Sequence, residues 1–204
     1  MKDKELILVL GGARGGKSTF AESLARSLGE RVLYVATATG IDEEMRQRIR
    51  AHQRARGGAW RTVEVPLGVE AAVRQHGADV DVVLLDCLTL LVANVLVGPG
   101  HDQLDEERLD QEALERTVAA EVSGLVAAYE AGPASLVVVS NEVGMGVVPA
   151  YAIGRVYRDL LGKANQMLAA RADRVYLLVA GIPLEIKALA ATLPGVTSGL
   201  PLSS

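Results

Sequence analysis

The stretch LILVLGGARGGKSTFAESLA, residues 6–25, restricts the fold more than any other part of the chain. Five apolar residues, Leu6 to Leu10, read as a buried strand. The segment after Lys17 reads as a helix, and Gly11-x-x-x-x-Gly16-Lys17-Ser18 lies between them. The glycines let the backbone curl so that its N–H groups point at phosphate oxygens, and the helix adds the positive end of its dipole. In that pattern Lys17 is placed to contact the β- and γ-phosphates of a nucleotide, and Ser18 to ligate Mg²⁺. A strand–loop–helix unit of this kind belongs in an α/β protein.

The rest of the chain repeats the alternation. RVLYVA, DVVLLD, SLVVVS and RVYLLVA read as strands, TVEV as a shorter one, and helical patterns fall at about 17–28, 42–56, 68–76, 105–131 and 152–171. The near-continuous hydrophobicity of the strands implies burial on both faces, as in a parallel sheet covered by helices. With 204 residues, half of them hydrophobic, one domain can bury a large core. We place that domain at 1–187 and treat 188–204 as a tail, because charge and periodicity fade from Ala188 onward. The acidic segment beginning DEERLDQEALER, after the loop at 98–104, reads as a solvated helix face.

Composition narrows the setting. A single cysteine, Cys87, excludes an intramolecular disulfide framework and suits a cytoplasmic protein. Leu6 to Leu10 is too short for a signal-peptide core, and Val82 to Val97, broken by Asp86 and Asn94, falls short of a membrane span. A net charge of −4 and only seven aromatic residues argue against nucleic acid as a partner.

Against that acidic background, residues 45–61 carry six arginines (Arg46, Arg48, Arg50, Arg54, Arg56 and Arg61) and no acid. On a helix over 42–56, Ile41, Met45, Ile49 and His52 share one face with Arg48 and Arg56 at its margins. Arginines suit a triphosphate, and a neutral imidazole beside them can attack phosphorus. The residues alone leave two roles for His52: nucleophile, or a histidine packed on the core beneath a solvated arginine face. Asp86, closing DVVLLD, is either a Mg²⁺-site acid or the N-cap of CLTLLVANVL. Asn141 and Glu142 end another strand, where α/β sheets bind ligands, although Asn141 suits a turn equally well.

LVLGGARGGKSTFAESLA, VLYVATAT, EMRQRIRAHQRARGGAWRTVE, LLDCLTLLVANVL and VVVSNEVGMGVVPAYAIGRVYRDLLGKANQMLAARADRVYLLVAGIPLEIK occur in one order over residues 6–187. In this the chain resembles the adenosylcobinamide kinase / adenosylcobinamide-phosphate guanylyltransferase family. The resemblance implies a RecA-like P-loop fold, a homo-oligomer, and two reactions using ATP or GTP. The first phosphorylates the aminopropanol hydroxyl of adenosylcobinamide. The second moves GMP from GTP onto an enzyme histidine, which falls on His52, and then to adenosylcobinamide phosphate. The implied nucleotide contacts are Gly11, Gly12, Ala13, Arg14, Gly15, Gly16, Lys17 and Ser18, then Ala36, Thr37 and Ala38, then Gln53, Arg54, Ala55 and Arg56, with Glu64 and Asp86. Ser18 and Asp86 would hold the Mg²⁺.

Three departures are visible. Gly15 stands where serine is usual, removing a hydroxyl but keeping the backbone donors. Ala51-His52 replaces the paired histidines of some members, leaving His52 as the single histidine of its segment. Asp86 is shorter than the glutamate of others. Guanine selectivity has no Asn-Lys-x-Asp motif to carry it, and Glu64 is the candidate reader. The competing functions are a monofunctional P-loop kinase with a structural His52, and a RecA-like ATPase module. His76 and His101 fall outside the motifs and read as surface residues.

Overall fold

In a computed structural model, residues 4–38, 60–98 and 110–190 are described here. They form β1 (Leu6–Gly11), α1 (Lys17–Leu28), β2 (Val32–Ala36), β3 (Trp60–Glu64), α2 (Val69–His76), β4 (Val82–Asp86), α3 (Leu88–Val97), α4 (Gln111–Ala131), β5 (Ser135–Val139), α5 (Ala152–Arg171), β6 (Arg174–Val179) and β7 (Ile182–Glu185). The seven strands make one sheet in the order β3-β2-β4-β5-β1-β6-β7. All pairings are parallel except β6 with β7. This is the mostly parallel P-loop sheet that the sequence implies.

Alternation along each strand divides the core into two layers. Leu6, Leu8, Leu33, Val35, Val83, Leu85, Leu136 and Val138 face a cluster completed by α2, α3, α4 and α5. Ile7, Val9, Val32, Tyr34, Leu84, Val137 and Val139 face the other way, onto Ala21 and Ala25 of α1. Side chains on both faces of β1, β2 and β5 are buried, which is why these strands read as unbroken apolar runs.

Four features differ from the sequence reading. The run LTLLVANVLV, absent from the helical patterns above and a helix there only in the alternative that made Asp86 its N-cap, is the helix α3; its mostly apolar side chains are buried against α4 and α5. Its N-cap is Cys87 rather than Asp86, and no side chain caps it. The third is a strand, β7, which follows β6 through a two-residue turn. Ala180 and Gly181 both have left-handed φ, 52° and 83°, the combination that closes a tight antiparallel hairpin. The exposed IPLE segment has too short and too mixed a pattern to announce a strand, and Pro183 is tolerated because β7 is an edge. The fourth is His76, half-buried at the end of α2, with its carbonyl accepting from Arg61 Nη2. The expected helix over 42–56, residues 99–104 of the expected loop, residues 105–109 of the acidic helix and most of the tail lie outside the described residues. From Gln111 onward the acidic helix is α4, capped by Asp110, whose Oδ1 accepts from Ala113 N at 2.9 Å.

Entry into β2 is fixed by Asp81. Its carboxylate accepts from Glu30 N at 3.2 Å, Arg31 N at 2.9 Å and Arg31 Nη2 at 2.6 Å. The Arg31 guanidinium, then the backbone donor, hold its carboxyl below the usual range. Gly29 lies under that side chain so closely that an added methyl would overlap Asp81 Cβ. Its φ of −176° is open to any residue, so space alone demands glycine. Gly29→Ala should therefore cost about 2 kcal/mol by overpacking, seen as a fall in Tm of roughly 4–8 °C for a chain of this size. An unchanged melting curve would show that the Asp81 anchor can move at no cost.

Candidate active site at the carboxyl edge of the sheet

The first turn of α1 begins at Lys17, with Gly16 as N-cap in a left-handed conformation, φ 85°. Ahead of it, Gly15 N donates to Gly12 O at 3.2 Å and Phe20 N to Gly16 O at 3.0 Å, which rolls 11–18 into a loop over the helix end. Gly11 has φ 152°, and a β-carbon there would lie 2.7 Å from the carbonyl oxygen of Leu178 in β6. Glycine is required at that point for the close approach of two strands. A β-carbon on Gly16 would lie 3.4 Å from Gly181 Cα, so the β6–β7 turn backs the loop. Arg14 is exposed at the loop tip with φ 57°.

Lys17 is buried, and its Nζ donates to Gly12 O at 2.7 Å. Burial lowers its pKa, while the neighbouring Cys87 and Asp86 push it the other way. A cationic group set among loop N–H donors at a helix N-terminus is arranged to receive an anion.

Asp86 ends β4 at the same register level as Ala36 of β2, and Ala36 is level with Glu64 of β3. Three predicted nucleotide contacts from three strands therefore line one edge, with Glu64 and Asp86 about two strand spacings, ~10 Å, apart. Tyr34 is a residue the sequence reading missed. Its hydroxyl donates to Asp86 Oδ2 at 2.7 Å, and its ring lies 6.4 Å from Trp60, which in turn carries Arg26 of α1 over its face at 5.0 Å. No local motif signals this contact, since the partners are 52 residues apart.

Thr37 and Ala38 continue beyond β2. Thr37 is fully buried: its hydroxyl donates to Cys87 O at 2.7 Å and accepts from Cys87 N at 2.9 Å. Asn94 of α3 donates to Thr37 O at 2.8 Å and Pro66 O at 3.0 Å. These bonds clamp the ends of β2, β3 and β4. Burial raises the Cys87 thiol to about 11, so it stays protonated at neutral pH and is a poor nucleophile. On the next strand, Asn141 N donates to Thr89 Oγ1 at 2.8 Å and Asn141 O accepts from Asn165 Nδ2 at 3.0 Å, while Glu142 N donates to Gly11 O at 3.1 Å. Asn141 thus serves the loop framework through its backbone. His52, Gln53, Arg54, Ala55 and Arg56 lie outside the described residues.

No group of three or more His, Cys, Asp or Glu side chains is placed to hold a metal among the described residues. A nucleotide-borne Mg²⁺ needs fewer protein ligands. The Ser18 hydroxyl and the Asp86 carboxylate are hard oxygen donors at the phosphate loop and the facing strand end, and they fit that requirement.

Parallel sheet, glycine loop, buried lysine and facing acid define a P-loop nucleotide-binding α/β protein. Residues 7–186 match the model of the cobinamide kinase / cobinamide phosphate guanyltransferase family. The chain is 43% identical over 182 residues to the bifunctional adenosylcobalamin biosynthesis protein CobU of Escherichia coli (strain K12), covering 89% of this chain and 99% of that protein. Identity and coverage are the same for the protein of that name from Salmonella typhimurium (strain LT2). With the bifunctional adenosylcobalamin biosynthesis protein CobP of Pseudomonas aeruginosa (strain PAO1), identity is 42% over 180 residues, 88% of this chain and 96% of the relative. The chain belongs to the cobinamide kinase / cobinamide phosphate guanyltransferase family.

Lys17→Ala removes the buried cation while leaving the loop glycines in place. Turnover in phosphoryl transfer from a nucleoside triphosphate should fall by on the order of a hundredfold, the scale of one preorganised electrostatic contact. Near-normal turnover in a coupled ADP-release assay would contradict the role given to Lys17.

Proposed function

We propose that the protein carries out two successive transfers on one corrinoid. In the first, the aminopropanol hydroxyl of adenosylcobinamide attacks the γ-phosphorus of ATP or GTP. An oxygen–phosphorus bond forms, the bridge to the β-phosphate breaks, and the nucleoside diphosphate leaves. In the second, the His52 imidazole attacks the α-phosphorus of GTP and pyrophosphate leaves. A phosphate oxygen of adenosylcobinamide phosphate then attacks the phosphorus held on His52, giving adenosylcobinamide-GDP and free imidazole. The observation that carries this reading is the family match across residues 7–186, on a chain whose phosphate loop, Lys17 and Asp86 occupy one sheet edge.

Each step assigns work to this chain's own groups. The backbone donors of 11–18 and Lys17 bind the polyphosphate and offset charge that builds on the transferring group. Gln53, Arg54, Ala55 and Arg56 follow His52 directly in sequence, and the two arginines are assigned to the GTP phosphates. Glu64, exposed at the end of β3, is assigned to the guanine edge. Bound to the nucleotide, Mg²⁺ would neutralise phosphate charge, with Ser18 and Asp86 as its protein ligands. Tyr34 holds Asp86 Oδ2, which leaves the other carboxylate oxygen directed by the same hydrogen bond.

The proposal extends to assembly and setting. The catalytic domain is taken as 1–187 with 188–204 appended. Self-association is supported by the edge strand β7, where Ile182 and Leu184 are exposed beside Val179. A cytoplasmic setting is supported by the single, reduced cysteine. Among the described residues no helix is long and apolar enough to cross a membrane.

Two substitutions test the chemistry. His52→Ala should abolish adenosylcobinamide-GDP formation while retaining much of the phosphorylation of adenosylcobinamide, because the hydroxyl attacks phosphorus without a covalent enzyme intermediate. Chromatography of both products decides it, and full guanylyl transfer by the variant would refute the role of His52. Asp86→Asn should raise the Mg²⁺ concentration needed for half-maximal activity several-fold; an unchanged Mg²⁺ titration would remove Asp86 from the metal site.

A further inference from the structure

The segment between β5 and α5 displays apolar side chains at the catalytic edge. Met145 is 76% exposed, Val147 95%, Val148 62% and Tyr151 75%. Four large apolar groups in seven residues make a surface that water solvates poorly, and such patches mark binding sites. The backbone beneath them is tied down. Glu142 N donates to Gly11 O of the phosphate loop at 3.1 Å, and Gly144 N donates to Glu142 Oε1 at 2.7 Å. At the other end Arg155 Nη1 donates to Pro149 O at 3.0 Å and Ala150 O at 2.7 Å. A β-carbon on Gly154 would lie 2.8 Å from Pro149 Cβ, so glycine there lets the loop sit flush on α5. The apolar side chains are therefore presented on a braced loop joined directly to the phosphate loop.

Beside Met145 lies a groove of about 450 Å³. Glu142 and Gly144 line it from the loop, and Arg158, Asp159, Lys163 and Gln166 of α5 contribute further polar groups. Apolar platform and polar groove are contiguous through Gly144.

We propose that residues 145–151 and this groove seat the corrin macrocycle of the acceptor. This rests on the bifunctional reading above. The acceptor chemistry fits both parts: a corrin ring has methylated, apolar faces and a fringe of carboxamide arms. The faces match Met145, Val147, Val148 and Tyr151, and the amides, which both donate and accept, match a groove lined by carboxylates, cationic groups and a carboxamide. The placement fits too. The ring's aminopropanol arm has to bring its hydroxyl to the γ-phosphate, and the hydrogen bond from Glu142 to Gly11 joins the platform to the loop that binds that phosphate.

The test uses the full chain and adenosylcobinamide as probe, with binding measured by equilibrium dialysis and visible absorbance. Val147→Glu places a charge on the platform at a side chain almost wholly in solvent, and Met145→Ser is a milder second variant. The dissociation constant for adenosylcobinamide should rise tenfold or more in Val147→Glu and several-fold in Met145→Ser. Affinity for a fluorescent ATP analogue and the mass from light scattering should not change. Corrinoid affinity within twofold of the unsubstituted protein in both variants would overturn the proposal. So would a change of mass, which would make the platform a subunit interface. If the unsubstituted protein binds the ATP analogue but no adenosylcobinamide, the bifunctional reading itself fails. If it binds both and the variants match it, only the corrin seat fails.

Discussion

A buried ammonium at the end of a sheet is the constraint on which the rest of the site depends. Lys17 is removed from water by its position at the start of α1, and burial alone works against its charge. The charge is supported by the Gly12 carbonyl and by the field of Asp86. The position of Asp86 bears on that charge, so the surroundings of Asp86 belong to the phosphate site along with the glycines. Tyr34 fixes one carboxylate oxygen, Thr37 staples the backbone at Cys87, and Asn94 ties Thr37 to the turn after β3. The parallel sheet makes this possible, because it delivers β1, β2, β3 and β4 to one edge at matched register.

Bifunctionality then takes a simple physical form. Both reactions break a phosphoanhydride of a nucleoside triphosphate, at the γ-phosphorus in one and the α-phosphorus in the other. In the proposed scheme the loop and Lys17 supply charge stabilisation that serves either, and what distinguishes the reactions is the nucleophile: a substrate hydroxyl for one, the His52 imidazole for the other. Cys87, the one thiol, stands near the site but is kept protonated by burial and is committed to packing and backbone bonds.

Much of this was legible in the sequence. The glycine loop carries its own geometry, since Gly11 and Gly16 occupy backbone conformations and close approaches that a side chain would obstruct. Strands buried on both faces announce themselves as unbroken apolar runs. Leu88–Val97 was harder to read because a helix buried nearly all round has no polar stripe to show its period. β7 was invisible because its stabilisation comes from a two-residue turn and pairing with β6, and its exposed side chains leave no pattern. Tyr34 was missed for a third reason: its hydroxyl meets Asp86 only once β2 and β4 pair. The role of His52 came from resemblance to a family, since composition and periodicity left nucleophile and core histidine equally open.

The central claim is that one protein stores GMP on a histidine between donor and acceptor. Incubation with α-labelled GTP, followed by acid and alkali treatment and peptide mapping, tests it directly. A phosphorus–nitrogen bond to imidazole predicts label that survives alkali, is lost in acid, maps to the peptide containing His52 and is discharged by adenosylcobinamide phosphate. Label on any other residue, or no protein-bound label in an enzyme that still makes adenosylcobinamide-GDP, would contradict the account.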